Sequence, residues 1–177
     1  NRGQQHEVLG LLGPPSAAAL DVVEVGPGPG VLLGLLAARP DVRRVTGVEP
    51  SLDMRVLAVR HLAAGIAAGR VEVRAGDAAA TGLPAASADL VVSVNTVAIW
   101  PDLDAGAAGL RRVLRPGGRL LLSWHGGREP ARAARGLLLD EARLDRVQAA
   151  LGERFAGVER VLTRRCTVFD ARVAATG

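Results

Sequence analysis

The sequence predicts an α/β protein built on a doubly wound, mostly parallel sheet of seven strands, closed by a C-terminal antiparallel hairpin. Three observations carry that expectation. Short runs rich in valine and leucine alternate with helical stretches from Leu20 to about residue 151, the pattern of strands joined by helical crossovers. The first three of these runs each meet an acid beside a glycine or proline, at Glu24-Val25-Gly26, Glu49-Pro50 and Gly76-Asp77. The tail abandons the alternation for two β-prone runs with almost nothing between them, which should pair as a hairpin at the sheet edge.

Taken in order, residues 4 to 12 form an opening helix and 20 to 25 the first strand. Residues 30 to 39 form a helix whose Val31, Leu32, Leu35 and Leu36 share one face. The second strand covers 44 to 48, and the helix over 52 to 67 is capped by Ser51, whose hydroxyl can accept an orphan amide proton. Strands follow at 70 to 74 and 88 to 94, then a helix near 103 to 114 and the turn Arg115-Pro116-Gly117-Gly118. The strand 119 to 124, a helix near 137 to 151 and the paired runs Val158 to Arg164 and Cys166 to Ala174 complete the chain. Gly126 to Pro130 is the stretch expected to be most mobile. With 177 residues, 49% of them hydrophobic, and no internal repeat or low-complexity linker, the chain suits one domain over 1–177.

Charge does not point to nucleic acid, although the net charge is +4. All 22 basic residues are arginine, as codon bias toward Arg, Ala, Gly and Val would produce, and they are scattered as singles and pairs such as 43/44, 111/112 and 164/165, expected on solvated faces. With no tyrosine, two phenylalanines and two tryptophans, the chain lacks stacking platforms for single-stranded bases. A lone Cys166 excludes an internal disulfide or a zinc cluster and argues for the cytoplasm. Neither an apolar signal region nor a stretch of the ~20 apolar residues that a membrane helix needs is present. The first residue is not methionine, and whether residues precede it stays open.

The most informative stretch is Val22-Val23-Glu24-Val25-Gly26-Pro27-Gly28-Pro29-Gly30, where a strand breaks into a turn that lets backbone approach a ligand closely. Glu49 stands nineteen residues beyond Gly30, where the acid ending a second strand can accept both hydroxyls of a ribose. A nicotinamide dinucleotide fits this far. The dinucleotide pattern, however, requires a third glycine where Val31 stands, and no basic residue in the turn offers a seat for pyrophosphate. Glu24 instead suits a ligand carrying an ammonium or sulfonium group.

Together with Gly76-Asp77-Ala78, the Ala88-to-Asn95 strand and the Arg115-to-Trp124 turn and strand, these motifs resemble the class I S-adenosylmethionine-dependent methyltransferases. The similarity is to the small-molecule branch typified by ubiquinone and menaquinone biosynthesis methyltransferases, and runs from about Val22 to Trp124. It implies a Rossmann-like sheet, S-adenosylmethionine as cofactor and S-adenosylhomocysteine as product. By the same resemblance, Glu24, Gly26, Gly28 and Gly30 hold the methionine part, Glu49 the ribose, Asp77 and the Ala78 amide the adenine, with Met54 against the adenine face and Asn95 near the ammonium. Thr96, Trp100, Trp124 and His125 are expected around the acceptor, with His125 as a candidate general base. No metal is expected. Where amino-group methyltransferases acting on DNA or protein carry Asn or Asp, two prolines and an aromatic residue, this chain reads Asn95-Thr96-Val97-Ala98, which favours a small-molecule acceptor. An NAD(P)-dependent oxidoreductase and a non-catalytic adenosyl-binding module stay open at this point, as do the acceptor atom and the oligomeric state.

Overall fold

In a computed structural model describing residues 2–175, seven strands form one sheet in the order β3-β2-β1-β4-β5-β7-β6. They are β1 (Leu20–Val25), β2 (Val42–Val48), β3 (Val71–Arg74), β4 (Ala88–Val94), β5 (Leu114–His125), β6 (Gly157–Leu162) and β7 (Cys166–Arg172). The first five run parallel, and β7 lies antiparallel between β5 and the edge strand β6. Val22, Val23 and Val25 are all buried, as expected of a strand covered on both faces.

Two apolar layers cover the sheet. On one face, Val8 of α1 (Arg2–Gly10) and Leu32, Leu33 and Leu36 of α2 (Val31–Ala37) pack against Val22, Val45 and Leu121. On the other, Ala107, Leu110 and Val113 of α5 (Leu103–Val113) and Leu144, Val147 and Leu151 of α6 (Glu141–Gly152) pack against Val91, Leu120 and Leu122. The reversal between β1 and β4 opens a crevice at their carboxyl ends, where sheets of this kind take ligands.

Several boundaries differ from the sequence expectation. The helix over 52 to 67 divides into α3 (Leu52–His61) and α4 (Ala63–Ala67), because Leu62 turns inward and its methyls fill the space beside Gly30 and Gly34. The turn at Arg115 to Gly118 is a bulge inside β5: pairing with β4 passes from Ala88–Leu114 to Leu90–Arg119. The last long helix starts at Glu141, capped by Asp140, whose side chain accepts from the Arg143 amide. Ahead of it, Arg132–Leu137 forms a 3-10 turn. Gly126 to Pro130 is tied down rather than loose: the Arg128 and Glu129 amides donate to the Thr163 and Arg164 carbonyls, and Glu129 pairs with Arg164. No helix among the described residues is long and apolar enough to cross a membrane.

One packing contact links the fold to the crevice. A Cβ on Gly109 of α5 would lie 2.1 Å from the Ala78 carbonyl oxygen and 2.8 Å from that of Ala79, so the missing side chain seats the loop after β3 directly on the helix. Gly109→Ala should therefore destabilise the protein by about 1–3 kcal/mol, as overpacked sites do. A melting temperature equal to the wild type would show that this close approach does not matter.

Candidate functional site

The crevice is a cavity of about 450 Å³ whose walls include Glu24 near the end of β1, Gly26 and Gly28 after it, Glu49 after β2, Asp77 and Ala78 after β3, and Asn95, Thr96 and Trp100 after β4. Thus four strand ends, distant in sequence, meet in one place. Gln5, Ile99 and Pro101 also border it.

The turn after β1 is shaped by close approach. Gly26, at φ 73°, lies under the Thr96 methyl, which a Cβ there would meet at 2.3 Å. Gly28, at φ 54°, has nothing within 4 Å of its own Cβ position and presents bare backbone to the cavity. Gly30 caps α2 in a left-handed conformation without lining the cavity. The Gly28 amide donates to one Glu49 carboxylate oxygen at 3.0 Å, and the Ser51 amide to the other at 2.9 Å. These bonds fix the carboxylate and leave each oxygen a second lone pair for a ligand donor. Arg55 grips the Glu49 and Pro50 carbonyls, and the His61 ring bonds the Pro29 carbonyl at 3.0 Å.

Thr96 is the hub of a directed chain. Ser93 Oγ donates to the Val25 carbonyl at 2.7 Å, so the 2.5 Å contact between Thr96 Oγ1 and Ser93 Oγ has Thr96 as donor. Thr96 Oγ1 then accepts from Trp100 Nε1 at 3.1 Å. This run of hydroxyls ties the ends of β1 and β4 to the indole bordering the cavity. The indole itself rests where Gly106 of α5 lacks a side chain, 2.5 Å from a Cβ built there.

Two buried acceptors in the cavity wall have no protein donor. Glu24 Oε2 and Asn95 Oδ1 are both without a hydrogen-bond partner among the described residues. Burial, and secondarily the neighbouring Glu49 charge, pushes the Glu24 carboxyl up to about 8, so in the free protein it is mostly protonated at neutral pH. Asn95 adopts φ 60° and donates its Nδ2 to Gln4 Oε1 at 2.8 Å.

The other expected residues are placed as follows. Asp77 is exposed and lines the cavity, while its Oδ1 accepts from the Ala79 and Ala80 amides, so it also holds its own turn. Met54 is half-buried in the first turn of α3 and does not line the cavity. Trp124 and His125 lie outside it on opposite faces of β5: Trp124 joins the α5–α6 layer and donates to the Leu137 carbonyl at 2.6 Å, whereas His125 faces α1. His125 Nδ1 is 3.1 Å from Gln4 Nε2, which also donates to the Arg165 carbonyl. That network assigns Nδ1 as acceptor and puts the proton of the neutral ring on Nε2. Burial pulls the His125 pKa down, in keeping with a neutral ring. In this arrangement the ring is a donor rather than a base.

Sequence reasoning misses Gln4, Gln5, Ser93 and the bond from His61. Ser93 leaves a trace, as a hydroxyl inside an apolar strand, but Gln4 and Gln5 sit in a helix with polar neighbours on every side.

With this geometry in view, comparison with known proteins gives one family. A family described as a methyltransferase domain matches residues 23–122, and the chain belongs to it. Nocamycin O-methyltransferase of Saccharothrix syringae is 39% identical over 105 residues, covering 59% of this chain and 37% of that protein. The uncharacterized methyltransferase YdaC of Bacillus subtilis is 31% identical over 102 residues, covering 58% of this chain and 54% of that protein. The chain thus spans about a third to a half of the length of these curated relatives. Among solved structures, a SAM-dependent methyltransferase of Aquifex aeolicus superposes with a TM-score of 0.77 at 18% identity, over 96% of this chain and 89% of that one. That likeness shows the seven-stranded, Rossmann-like methyltransferase fold.

The buried acid gives a stability forecast with a definite sign. The folded pKa of Glu24, about 8, lies above its ordinary value of 4.5, so the unfolded chain releases this proton first. The contribution of this group to stability should be fully present below pH 4.5 and lost as pH rises to about 8, at up to about 1.4 kcal/mol per pH unit. Denaturant unfolding across that range should show the decline in the wild type and its removal in Glu24→Gln. Identical profiles for the two proteins would contradict the placement of the acid.

Proposed function

We propose that this chain transfers the methyl group of S-adenosylmethionine to a small-molecule acceptor. The observation that carries the reading is the pair of partnerless buried acceptors, Glu24 Oε2 and Asn95 Oδ1, in the wall of a cavity at the switch point of the sheet. Buried acceptors without donors are costly, and a ligand bringing an ammonium group relieves both. A phosphate-rich dinucleotide does not, since it would set negative charge beside Glu24 and Glu49.

The remaining walls fit the rest of such a ligand. Glu49, pre-aimed by the Gly28 and Ser51 amides, accepts from ribose hydroxyls. Asp77, the Ala78 amide and the apolar side chains of Ile99 and Trp100 receive the adenine. When bound, the cofactor supplies a methyl group already activated on a sulfonium. The protein then has to hold the acceptor in line and exclude water, and positioning of that kind accounts for much of the acceleration in such reactions. We read residues 1–177 as one methyltransferase domain working in the cytoplasm, in keeping with a single, buried cysteine thiol.

Calorimetry with S-adenosylhomocysteine tests the assignment. Because Glu24 is protonated in the free protein near neutrality and ionises against the ligand cation, binding should release a proton, and affinity should rise with pH toward about 8. Titration in two buffers of different ionisation enthalpy reads that proton. Glu49→Ala should weaken binding by on the order of 2–5 kcal/mol through loss of two charge-assisted hydrogen bonds. Binding of NADH instead of S-adenosylhomocysteine, or unchanged affinity in Glu49→Ala, would overturn the assignment.

A further inference from the structure

A second cavity, of about 250 Å³, lies on the α1 side of β5, walled by Gln4, His125 and Arg165 together with the apolar Ala134 and Leu137. A hydrogen-bonded chain links its wall to that of the first: Asn95, which borders the cofactor cavity, donates to Gln4, and Gln4 donates to His125. We propose that this cavity seats the methyl acceptor and that the acceptor carries an ionised acid group, held between His125 Nε2–H and the Arg165 guanidinium.

Hydrogen-bond bookkeeping gives the sign of the ligand. The Gln4 amide is fixed by three contacts, with its oxygen accepting from Asn95 and its nitrogen facing both His125 Nδ1 and the Arg165 carbonyl. The free nitrogen of the neutral His125 ring is therefore a donor. Arg165 is anchored through its main chain: its amide donates to Glu7, and its carbonyl accepts from Gln4. Its side-chain stem lies across Gly3, where a Cβ would stand 3.0 Å from Cδ.

Neighbouring Arg164 pairs with Glu129, but among the described residues no carboxylate lies within ion-pair distance of the Arg165 guanidinium. The arginine pair expected to be solvated thus divides into one surface ion pair and one cation lining a cavity. A neutral ring donor and an arginine without a carboxylate partner thus border one cavity beside Ala134 and Leu137, an arrangement that suits a carboxylate or another singly ionised oxygen acid on an apolar body.

This inference rests on the methyltransferase reading for the ligand's role as acceptor, but not for the sign of its charge. The probes are benzoate and benzamide, which share a ring and differ in charge, titrated into the full chain labelled with 15N-histidine. Benzoate should shift the His125 Nε2 resonance saturably, and benzamide should bind roughly 10-fold more weakly or worse. Arg165→Gln should lose the preference for benzoate, Arg165→Lys should restore part of it, and both variants should bind S-adenosylhomocysteine as the wild type does. Equal binding of the two probes, an undiminished benzoate preference in Arg165→Gln, or no saturable shift at His125 would each overturn the proposal. If S-adenosylhomocysteine fails to bind while benzoate still selects Arg165, the anion site stands and the methyltransferase reading falls. If S-adenosylhomocysteine binds while benzoate shows no selection by Arg165, the methyltransferase reading stands and the anion site falls.

Discussion

A carboxyl group buried without a donor for one of its oxygens is the constraint around which this molecule is organised. Glu24 lies inside β1, between β2 and β4, where none of the described residues satisfies Oε2. Leaving a buried acceptor unpaired costs about 1–3 kcal/mol, a sizeable share of the margin by which a domain stays folded. Such a group makes physical sense only if something else completes it. The unpartnered Asn95 Oδ1, in the wall of the same cavity, likewise asks for a donor, and beside the Glu24 carboxyl a donor bearing positive charge serves both.

The surrounding contacts keep that pair in place. The Ser93–Thr96–Trp100 chain locks the ends of β1 and β4, and with them the Gly26 turn, into one rigid corner. Glu49 is held from both sides by main-chain amides, and the loop bearing Asp77 sits on a helix at a position where only glycine allows contact. None of these groups needs to move for a ligand to bind, which is how preorganised sites lower the entropic cost of association. On the far side, Gln4 links Asn95 to His125, so the polar wiring of one cavity continues into the next.

How much of this can be read from sequence follows from how local each signal is. The turn after β1, Glu49 and Asp77 are legible because strand, acid and glycine are adjacent in the chain, and the sheet brings successive strand ends together by construction. The seven strands and the C-terminal hairpin are legible for the same reason. The division of the second long helix is not, because it depends on Leu62 finding space beside Gly30 and Gly34, a tertiary fact. Nor can sequence place Trp124 and His125: adjacent on one strand, they must face opposite sides, and only the packed layers tell which side holds which cavity. Gln4 carries no signal, since its role depends on residues 91 and 121 positions away.

The cofactor site turns on the charge state of Glu24, which can be measured directly. Carbon-13 NMR of the side-chain carboxyl, assigned with Glu24→Gln, would follow its titration in the free protein and with S-adenosylhomocysteine bound. The expected result is a midpoint near 8 in the free protein and an ionised carboxylate throughout the neutral range in the complex. A free-protein midpoint near the ordinary value of 4.5, unchanged by the ligand, would contradict the central role given to this acid.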